Sequence, residues 1–430
     1  MSQSTLSPIV AGPSLTFLQH LLEGYGPRDF AIRFWDGASI EPDAGQAAQF
    51  TLVLHHAGSV RQMFWPFNKS AMGEAYIYND FDIEGDMQAF MDLTKYLRER
   101  PFSALQKLGL LRQLMAMPNT PRPRTGRQGA QLQGGKRSAD RDRQAIEYHY
   151  DGQPAEFFAL FLDRYMQYTC GYFADESESI DQAQERKLDY ICRKLRLKPG
   201  ERLIDFGCGW GGLITFAAKN YGVMAVGVSI SQEQIRWTNR EIDRMGVRDR
   251  CRIENLDYRK VPETELFDKA VSVGFIEHLG EKMMPTFFGK VWRLLRPQGL
   301  YLHHGITFRP NTPFPSWRAF ALKYVFPDGE LVPITKTVHH LAAAGFEIRD
   351  VESLREHYIY TLRCWLKRLE DNHAEAVRLT DEVNYRIFRI YFAGAIQGFR
   401  TALYNLNQTL VVKSGDNVSG LPFTRAAWYA

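Results

Sequence analysis

Residues 203–212, LIDFGCGWGG, join a short apolar run to a turn crowded with glycine. A turn of this kind between a strand and a helix leaves backbone N–H groups free at the positive end of the helix dipole. Its glycines let a ligand come close to the main chain. A dinucleotide site would carry G-x-G-x-x-G and an acidic residue near the end of the second strand. Here Asp205 precedes the glycines and the second strand ends in Ser229, which argues against NAD. A nucleoside with a cationic amino-acid tail fits better, its amino group meeting Asp205 and its sugar hydroxyls meeting Ser229 and Gln234. S-adenosylmethionine is such a ligand. The alternative is a tight strand-to-helix turn that holds nothing.

Three further groups could do chemistry. Glu277 and His278 stand in FIEHLG at the end of the fourth strand, where sheets of this type place ligand contacts. An isolated Glu-His pair is, by itself, more often polar surface. His303 and His304 are adjacent, and strand alternation sends only one of them towards a site. The five cysteines, Cys170, Cys192, Cys208, Cys251 and Cys364, form no CxxC pair, so neither zinc nor a disulfide framework is expected. A reducing cytoplasm fits this pattern.

The elements that must hold these residues follow from periodicity. From Glu147 onward strands alternate with helices: RLIDFG, GLITFAAKNYG, MAVGVSIS, QEQIRWTNREIDRMG, CRIENLDYR, FDKAVSVGF and LYLHHGIT. That alternation predicts an α/β domain with a doubly wound, parallel sheet and ligands at the carboxyl ends of its strands. Residues 1–118 mix alternating runs such as FTLVLHH with helical ones such as DMQAFMDLTKYLRER, which predicts a smaller α+β domain. Residues 119–144 are rich in Lys, Arg, Gly and Pro and read as a mobile basic linker, leaving 145–430 as the larger domain. Just before the linker, Leu105, Leu108, Leu111 and Met115 recur at helical spacing. A helix packed on its own domain is the favoured reading, and a membrane-surface helix the other.

With 53 basic and 49 acidic residues the net charge of +4 gives no sign of a nucleic-acid partner. The N-terminal residues lack the basic and apolar segments of a secretory signal, and no apolar run approaches a bilayer-spanning length. The expected location is cytoplasmic, with any membrane contact made from the surface.

Several stretches resemble the cyclopropane-fatty-acid and mycolic-acid cyclopropane synthase family of methyltransferases: IEYHYDGQPAEFFALFLDRYMQYTCGYF, LIDFGCGWGGL, VGVSISQEQ, DYRKV, VSVGFIEHLG, LHHGITF, YVFPDGELVPI and EHYIYTLRCW. MGEAYIYNDFDIEGDMQAF is similar to the N-terminal domain of the longer bacterial synthases. The resemblance implies a Rossmann-like class I methyltransferase sheet with S-adenosylmethionine as cofactor. It implies a cis double bond in a phospholipid acyl chain as substrate, a homodimer, and peripheral association with the inner face of the membrane. It places the cofactor against Tyr168, Thr169, Leu203, Asp205, Gly207, Cys208, Gly209, Gly211, Ser229, Ile230, Gln234, Tyr258 and Arg259.

The family's chemistry explains why a second small molecule belongs here. An alkene is a poor nucleophile, so methyl transfer from a sulfonium builds positive charge on carbon, and ring closure then needs a base. The resemblance implies a bound bicarbonate, held by Cys170, Glu277, His304, Ile306 and Tyr358. His304 and the Tyr358 hydroxyl would donate to it, Ile306 through its backbone N–H, while Glu277 would accept the bicarbonate hydroxyl, helped by a protonated histidine. His303 is then structural and His357 surface. Three positions depart from the family wording: the glycine in HHGITF, Gly171 for alanine, and Ala395 for cysteine. The first two adjoin the site, so a methylene- or methyl-branched product, or another small substrate, stays open beside the cyclopropane.

Overall fold

The computed structural model describes residues 12–66, 70–264, 266–312, 317–415 and 418–429. Of the N-terminal stretch 1–17, which lacks a secretory signal pattern, residues 1–11 lie outside these. Contacts divide the chain into two units: 1–129 with 314–325 and 381–397, and 130–313 with 326–380 and 398–430.

The first unit carries a four-stranded sheet of β1 (Phe30–Arg33), β2 (Ser39–Ile40), β3 (Phe50–Leu54) and β4 (Phe81–Gly85) in the order β2-β1-β3-β4. The helix Met87–Glu99 follows, its first turn capped by the Asp86 carboxylate, which accepts from the Gln88 and Ala89 N–H groups. Two segments from far along the chain complete the unit. Phe320 packs where a side chain on Gly73 would stand, its ring 2.5 Å from that Cβ position. Arg386 pairs with Asp82 at 2.7 Å, and Arg389 donates to the Tyr76 hydroxyl and the Ile83 carbonyl, both at 2.9 Å. The unit is therefore not the continuous 1–118 block that the sequence predicts.

Nor are residues 119–144 a mobile linker. Arg122 donates to the Asn79 carbonyl at 2.9 Å, Arg124 pairs with buried Glu74 at 2.6 Å, and Arg127 donates to Asn384 at 2.8 Å. Beyond residue 129, Arg137 pairs with Glu330 at 2.8 Å, and residues Ala139–Ile146 form a helix whose Arg141 grips Asp328. Composition marks such a stretch as solvated, whereas its partners lie too far off in sequence to be seen.

The leucine-rich helix forms as expected, over Ala104–Ala116, with a Ser103–Gln106 capping box. Its apolar stripe faces outward: Leu105 is 82% exposed, Leu108 45% and Met115 44%, while Leu114 is the residue that packs inward. The helix does pack on its own unit, against Gly12–Leu22 and Ser59–Phe64, as the favoured reading has it, but through Leu114; of the named stripe Leu111 is half-buried while Leu105, Leu108 and Met115 stay exposed. Among the described residues no helix is long and apolar enough to cross a membrane.

The second unit is built on a seven-stranded sheet. Its strands are β5 (Arg202–Phe206), β6 (Met224–Ser229), β7 (Cys251–Asn255), β8 (Phe267–Val273), β9 (Leu295–Phe308), β10 (Glu347–Ser353) and β11 (Tyr404–Val412), in the order β10-β11-β9-β8-β5-β6-β7. β9, β8, β5, β6 and β7 run parallel, and β11 lies antiparallel between β9 and β10, so that β10 points the same way as the five. This is the doubly wound α/β sheet that the alternation predicts. Successive residues of a strand point to opposite faces, and both faces are covered, so the central strands are buried along most of their length. Leu203, Leu302 and Leu410 join one core layer with Leu188 and Ile191 of the helix Ile180–Lys194. Ile204, Tyr301 and Val411 join the other with Phe287 and Val291 of the helix Met284–Leu294.

Candidate active site

The carboxyl ends of β5, β6 and β8 surround a cleft lying wholly within the second unit. Its wall includes Tyr168, Thr169, Asp205, Gly207, Cys208, Gly209, Ser229, Ile230, Gln234, Tyr258 and Arg259. Two of the expected cofactor residues are elsewhere. Leu203 is fully buried in the core layer beneath β5, and Gly211 is the left-handed residue (φ 79°) that starts the next helix. A side chain on Gly211 would lie 2.3 Å from Thr238, so its glycine serves packing.

The turn itself is fixed from behind. The Gly207 and Cys208 N–H groups donate to the Val228 carbonyl at 3.0 and 3.2 Å, and Gly207 takes φ 70° against the Phe275 ring. Asp205 sits at the floor, with Oδ1 buried and meeting no hydrogen-bond partner among the described residues. Burial pushes its carboxyl up to about 7, and Lys187 draws it back. On the far wall Ser229 donates to Gln234 at 2.8 Å. Arg259 lines the cleft with its charge already engaged, by Asp257 at 2.7 Å and Asp142 at 2.9 Å. These features suit a ligand with an ammonium group and a polar sugar, because an unpaired buried carboxylate oxygen lacks only a cation or donor.

Tyr168 stands in an aromatic group that the sequence does not reveal. His149 stacks on it at 5.7 Å and 11°, with Phe158 at 5.7 Å and Trp365 at 5.2 Å between centroids. Ring faces at such spacing attract a cation and exclude water.

None of Cys170, Glu277, His304, Ile306 and Tyr358 lines the cleft; three of them stand one step behind its wall. Thr169 and His278 are wall residues, and Cys170 and Glu277 adjoin them in sequence. Gly274, also in the wall, donates to the His304 carbonyl at 2.9 Å. Lys187 ties the group together. Fully buried on the helix Ile180–Lys194, it donates to Gln167 at 2.6 Å and Thr169 at 2.9 Å, and its charge acts on Cys170, Asp205 and His304. Burial lowers its own ammonium to about 8. No motif pointed to Lys187; its only sequence signal is a charge on the buried side of an amphipathic helix.

Glu277 Oε2 and His304 Nε2 are among the buried polar atoms of this region that find no partner among the described residues. Burial raises the Glu277 carboxyl to about 7, against the pull of a hydrogen bond from the Ile306 N–H at 2.6 Å. That bond corrects the expected role of Ile306. β8 stops at Val273, so the Ile306 amide, on the side of β9 that faces β8, has passed the end of its neighbour and is taken by Glu277 instead. His304 is not the protonated histidine expected: burial, reinforced by Lys187, His303 and Lys194, holds it well below the usual imidazole range. His303 points to the opposite face, towards Ser272 and Tyr301, as alternation predicts.

Cys170 and Tyr358 meet at one carbonyl. The Cys170 sulfur is 3.9 Å from Leu354 O, which also accepts the Tyr358 N–H at 3.3 Å. Burial raises the Cys170 thiol far above its usual range, so it stays an S–H donor. The Tyr358 ring packs on Phe399 and Trp365, 4.7 and 6.0 Å between centroids, and Trp365 leads back to Tyr168. His357 is not surface: its Nδ1 accepts the Phe173 N–H at 3.1 Å and its ring stacks on Tyr172.

Residues 137–409 match the family described as mycolic acid cyclopropane synthetase, and residues 17–105 match one described as a domain of unknown function. The chain is 35% identical over 404 residues to a Pseudomonas putida protein named "Probable fatty acid methyltransferase", covering 93% of this chain and 95% of that one. It is 34% identical over 277 residues to the cyclopropane-fatty-acyl-phospholipid synthase of Escherichia coli K12, 63% of this chain and 68% of that one. Among solved structures, mycolic acid cyclopropane synthase CmaA1 complexed with SAH and CTAB superposes with a TM-score of 0.60 at 31% identity, covering 63% of this chain and 98% of that one.

Proposed function

Because the chain belongs to the family of S-adenosylmethionine-dependent cyclopropane and fatty acid methyltransferases, we propose that it adds a methylene bridge across the cis double bond of unsaturated phospholipid acyl chains. Bound bicarbonate is the proposed base. The observation that carries this reading is the pair of buried, partnerless atoms behind the cleft, Glu277 Oε2 and His304 Nε2. A neutral imidazole N–H and a carboxylate oxygen are complementary to an ion that both accepts and donates. A water-free site without such an ion would leave each at a cost of about 1–3 kcal/mol.

When bound, S-adenosylmethionine supplies a methyl group on a sulfonium. Asp205 would hold the amino group of that ligand, Ser229 and Gln234 its sugar, and Gly207 and Gly209 would let it approach the backbone. Tyr168, His149, Phe158 and Trp365 keep water from the developing carbocation, which water would trap as an alcohol. His304, the Cys170 thiol, the Tyr358 hydroxyl and Glu277 would hold bicarbonate, which would supply a base for the proton lost from the transferred methyl. Glu277 in turn keeps the Ile306 N–H, which holds its second oxygen free for this task.

The substrate comes from a bilayer, which the enzyme meets from the cytoplasmic side without spanning it. The outward leucines of the helix Ala104–Ala116, with Lys107 and Arg112 exposed on the same helix, support a surface contact. A homodimer and the absence of a nucleic-acid partner belong to the same proposal. One observation favours a second reading: the relative that spans 93% of this chain is named a fatty acid methyltransferase. In that reading the same first step ends in a methylene- or methyl-branched chain. Incubation with methyl-labelled S-adenosylmethionine and liposomes of unsaturated phospholipid, followed by proton NMR of the lipid, separates them. Upfield ring protons on the labelled carbon support the cyclopropane; vinylic protons or a methyl doublet on that carbon overturn it.

A further inference from the structure

Behind His304 lies a fully buried polar chain that the methyl-transfer reading leaves without a task. In the β9–β11 ladder His304 stands directly opposite Gln408, and the two side chains meet, Gln408 Nε2 lying 3.2 Å from His304 Nδ1. The other end of the Gln408 amide faces Lys194, whose Nζ is 2.9 Å from Oε1. Lys194 is the last residue of the helix Ile180–Lys194. It pairs with Glu352, has Asp350 at 3.8 Å, and lies over the Tyr190 ring at 4.4 Å. His304, Gln408 and the Lys194 side chain are all 0% exposed.

The donors and acceptors along this chain have one consistent assignment. An ammonium has three hydrogens to give and nothing to accept with, so the oxygen of the Gln408 amide must face Lys194. The amide nitrogen then faces the imidazole as a donor, and Nδ1 can only accept. A neutral imidazole carries one proton, which is left on Nε2, the buried atom that meets no partner among the described residues. Reversing the amide would set a carbonyl against Nδ1 and an NH2 against an ammonium, two donors face to face.

We propose that Gln408, oriented by Lys194, is a positioning residue that fixes His304 as the Nε2–H tautomer and so presents a donor to the small anion behind the cofactor cleft. The tautomer follows from the hydrogen-bond chain alone; the anion rests on the bicarbonate reading. A lysine and a glutamine buried between the sheet and a helix are otherwise an expensive way to fill a core. Isosteric apolar residues would pack there without an ion pair.

The test reads the imidazole directly. In full-length protein labelled with 15N-histidine, long-range proton–nitrogen spectra identify His304 as the signals lost in His304→Gln. The expected wild-type pattern is a protonated Nε2 and an unprotonated Nδ1. Gln408→Glu replaces the donor by an acceptor of the same shape, so Nδ1 gains a proton and the pattern reverses or becomes that of the cation. Lys194→Met releases the amide and gives a mixture, which keeps the test alive if one variant fails to fold by circular dichroism. A His304 that stays purely Nε2-protonated in the folded variants overturns the proposal. Titration with 13C-bicarbonate then reads the anion separately: at least a tenfold loss of affinity in Gln408→Glu is expected. Tautomer reversal with no bicarbonate binding in the wild type supports the positioning role and overturns bicarbonate as the base.

Discussion

At the scale of single residues, the site pairs two carboxyls with different tasks. Both Asp205 and Glu277 are pushed up to about 7 by burial, so each is poised where a bound partner decides its charge. Glu277→Gln keeps the shape and the Ile306 hydrogen bond but cannot accept from a bicarbonate hydroxyl in the same way. It is expected to leave cofactor affinity, measured calorimetrically, within about twofold while turnover falls roughly tenfold or more. Parallel loss of both would contradict the assignment. Asp205→Asn should do the reverse, weakening cofactor binding at least about tenfold through the lost charge-assisted bond. It also has a pH signature without cofactor. The folded carboxyl titrates at about 7 against an ordinary 3.8, so between these values the folded state binds more protons than the unfolded one. The stabilisation is fully present below the ordinary pKa and is lost as pH rises through the folded one, by about 4 kcal/mol. Melting curves should therefore show the Asn variant gaining on the wild type between about pH 4 and about pH 7. A constant difference would mean that Asp205 is not buried as an acid. The unusual glycine of HHGITF also finds its reason here. A side chain on Gly305 would lie 2.9 Å from Ile276, next to Glu277, and it points away from the face that carries His304.

At the scale of elements, the sequence was most legible where structure is local. The alternation of strands and helices from Glu147 locates β5, β6, β8 and the helices after β5 and β6 almost residue for residue, because apolar period and glycine turns are written in neighbouring residues. What joins distant elements was not legible. Gln408 meets His304 only through the register of an antiparallel ladder, and Lys187 and Lys194 look like ordinary helix cations until the sheet buries them. Periodicity likewise predicted the helix Ala104–Ala116 and its stripe, but it cannot say what covers a stripe, and Leu105 and Leu108 are left in solvent. Their burial in the outer part of a bilayer would contribute about 1–2 kcal/mol each. Leu105→Ser with Leu108→Ser should therefore weaken binding to anionic phospholipid vesicles at least about tenfold in flotation assays, with the helical content and melting temperature nearly unchanged. Equal binding would remove this helix from the membrane contact. The arginines at 122, 124, 127 and 137, by contrast, are committed to protein partners, so neutralising them should lower stability more than it alters vesicle affinity.

At the scale of the whole molecule, the chain crosses between its two units five times rather than once, and this changes what can fold alone. Residues 314–325 and 381–397 return to the first unit, bringing Phe320, Ile387, Phe388 and Phe392, all buried. Full burial of such side chains contributes about 1.5–3 kcal/mol each. The same segments bring Arg386 and Arg389, which satisfy Asp82, the Tyr76 carbonyl and hydroxyl, and the Ile83 carbonyl. Buried acceptors left without donors cost about 1–3 kcal/mol apiece. Against a total domain stability of about 5–15 kcal/mol, losses of this size are decisive. A fragment of residues 1–129, although it contains the whole stretch matched as a domain at 17–105, is expected to show no cooperative thermal transition by calorimetry and weak near-ultraviolet dichroism. The full chain with Arg386→Met should still melt cooperatively, several degrees lower. A fragment that unfolds in one sharp transition would show that the returning segments decorate a self-sufficient fold, and the boundary read from composition at residue 118 would stand after all.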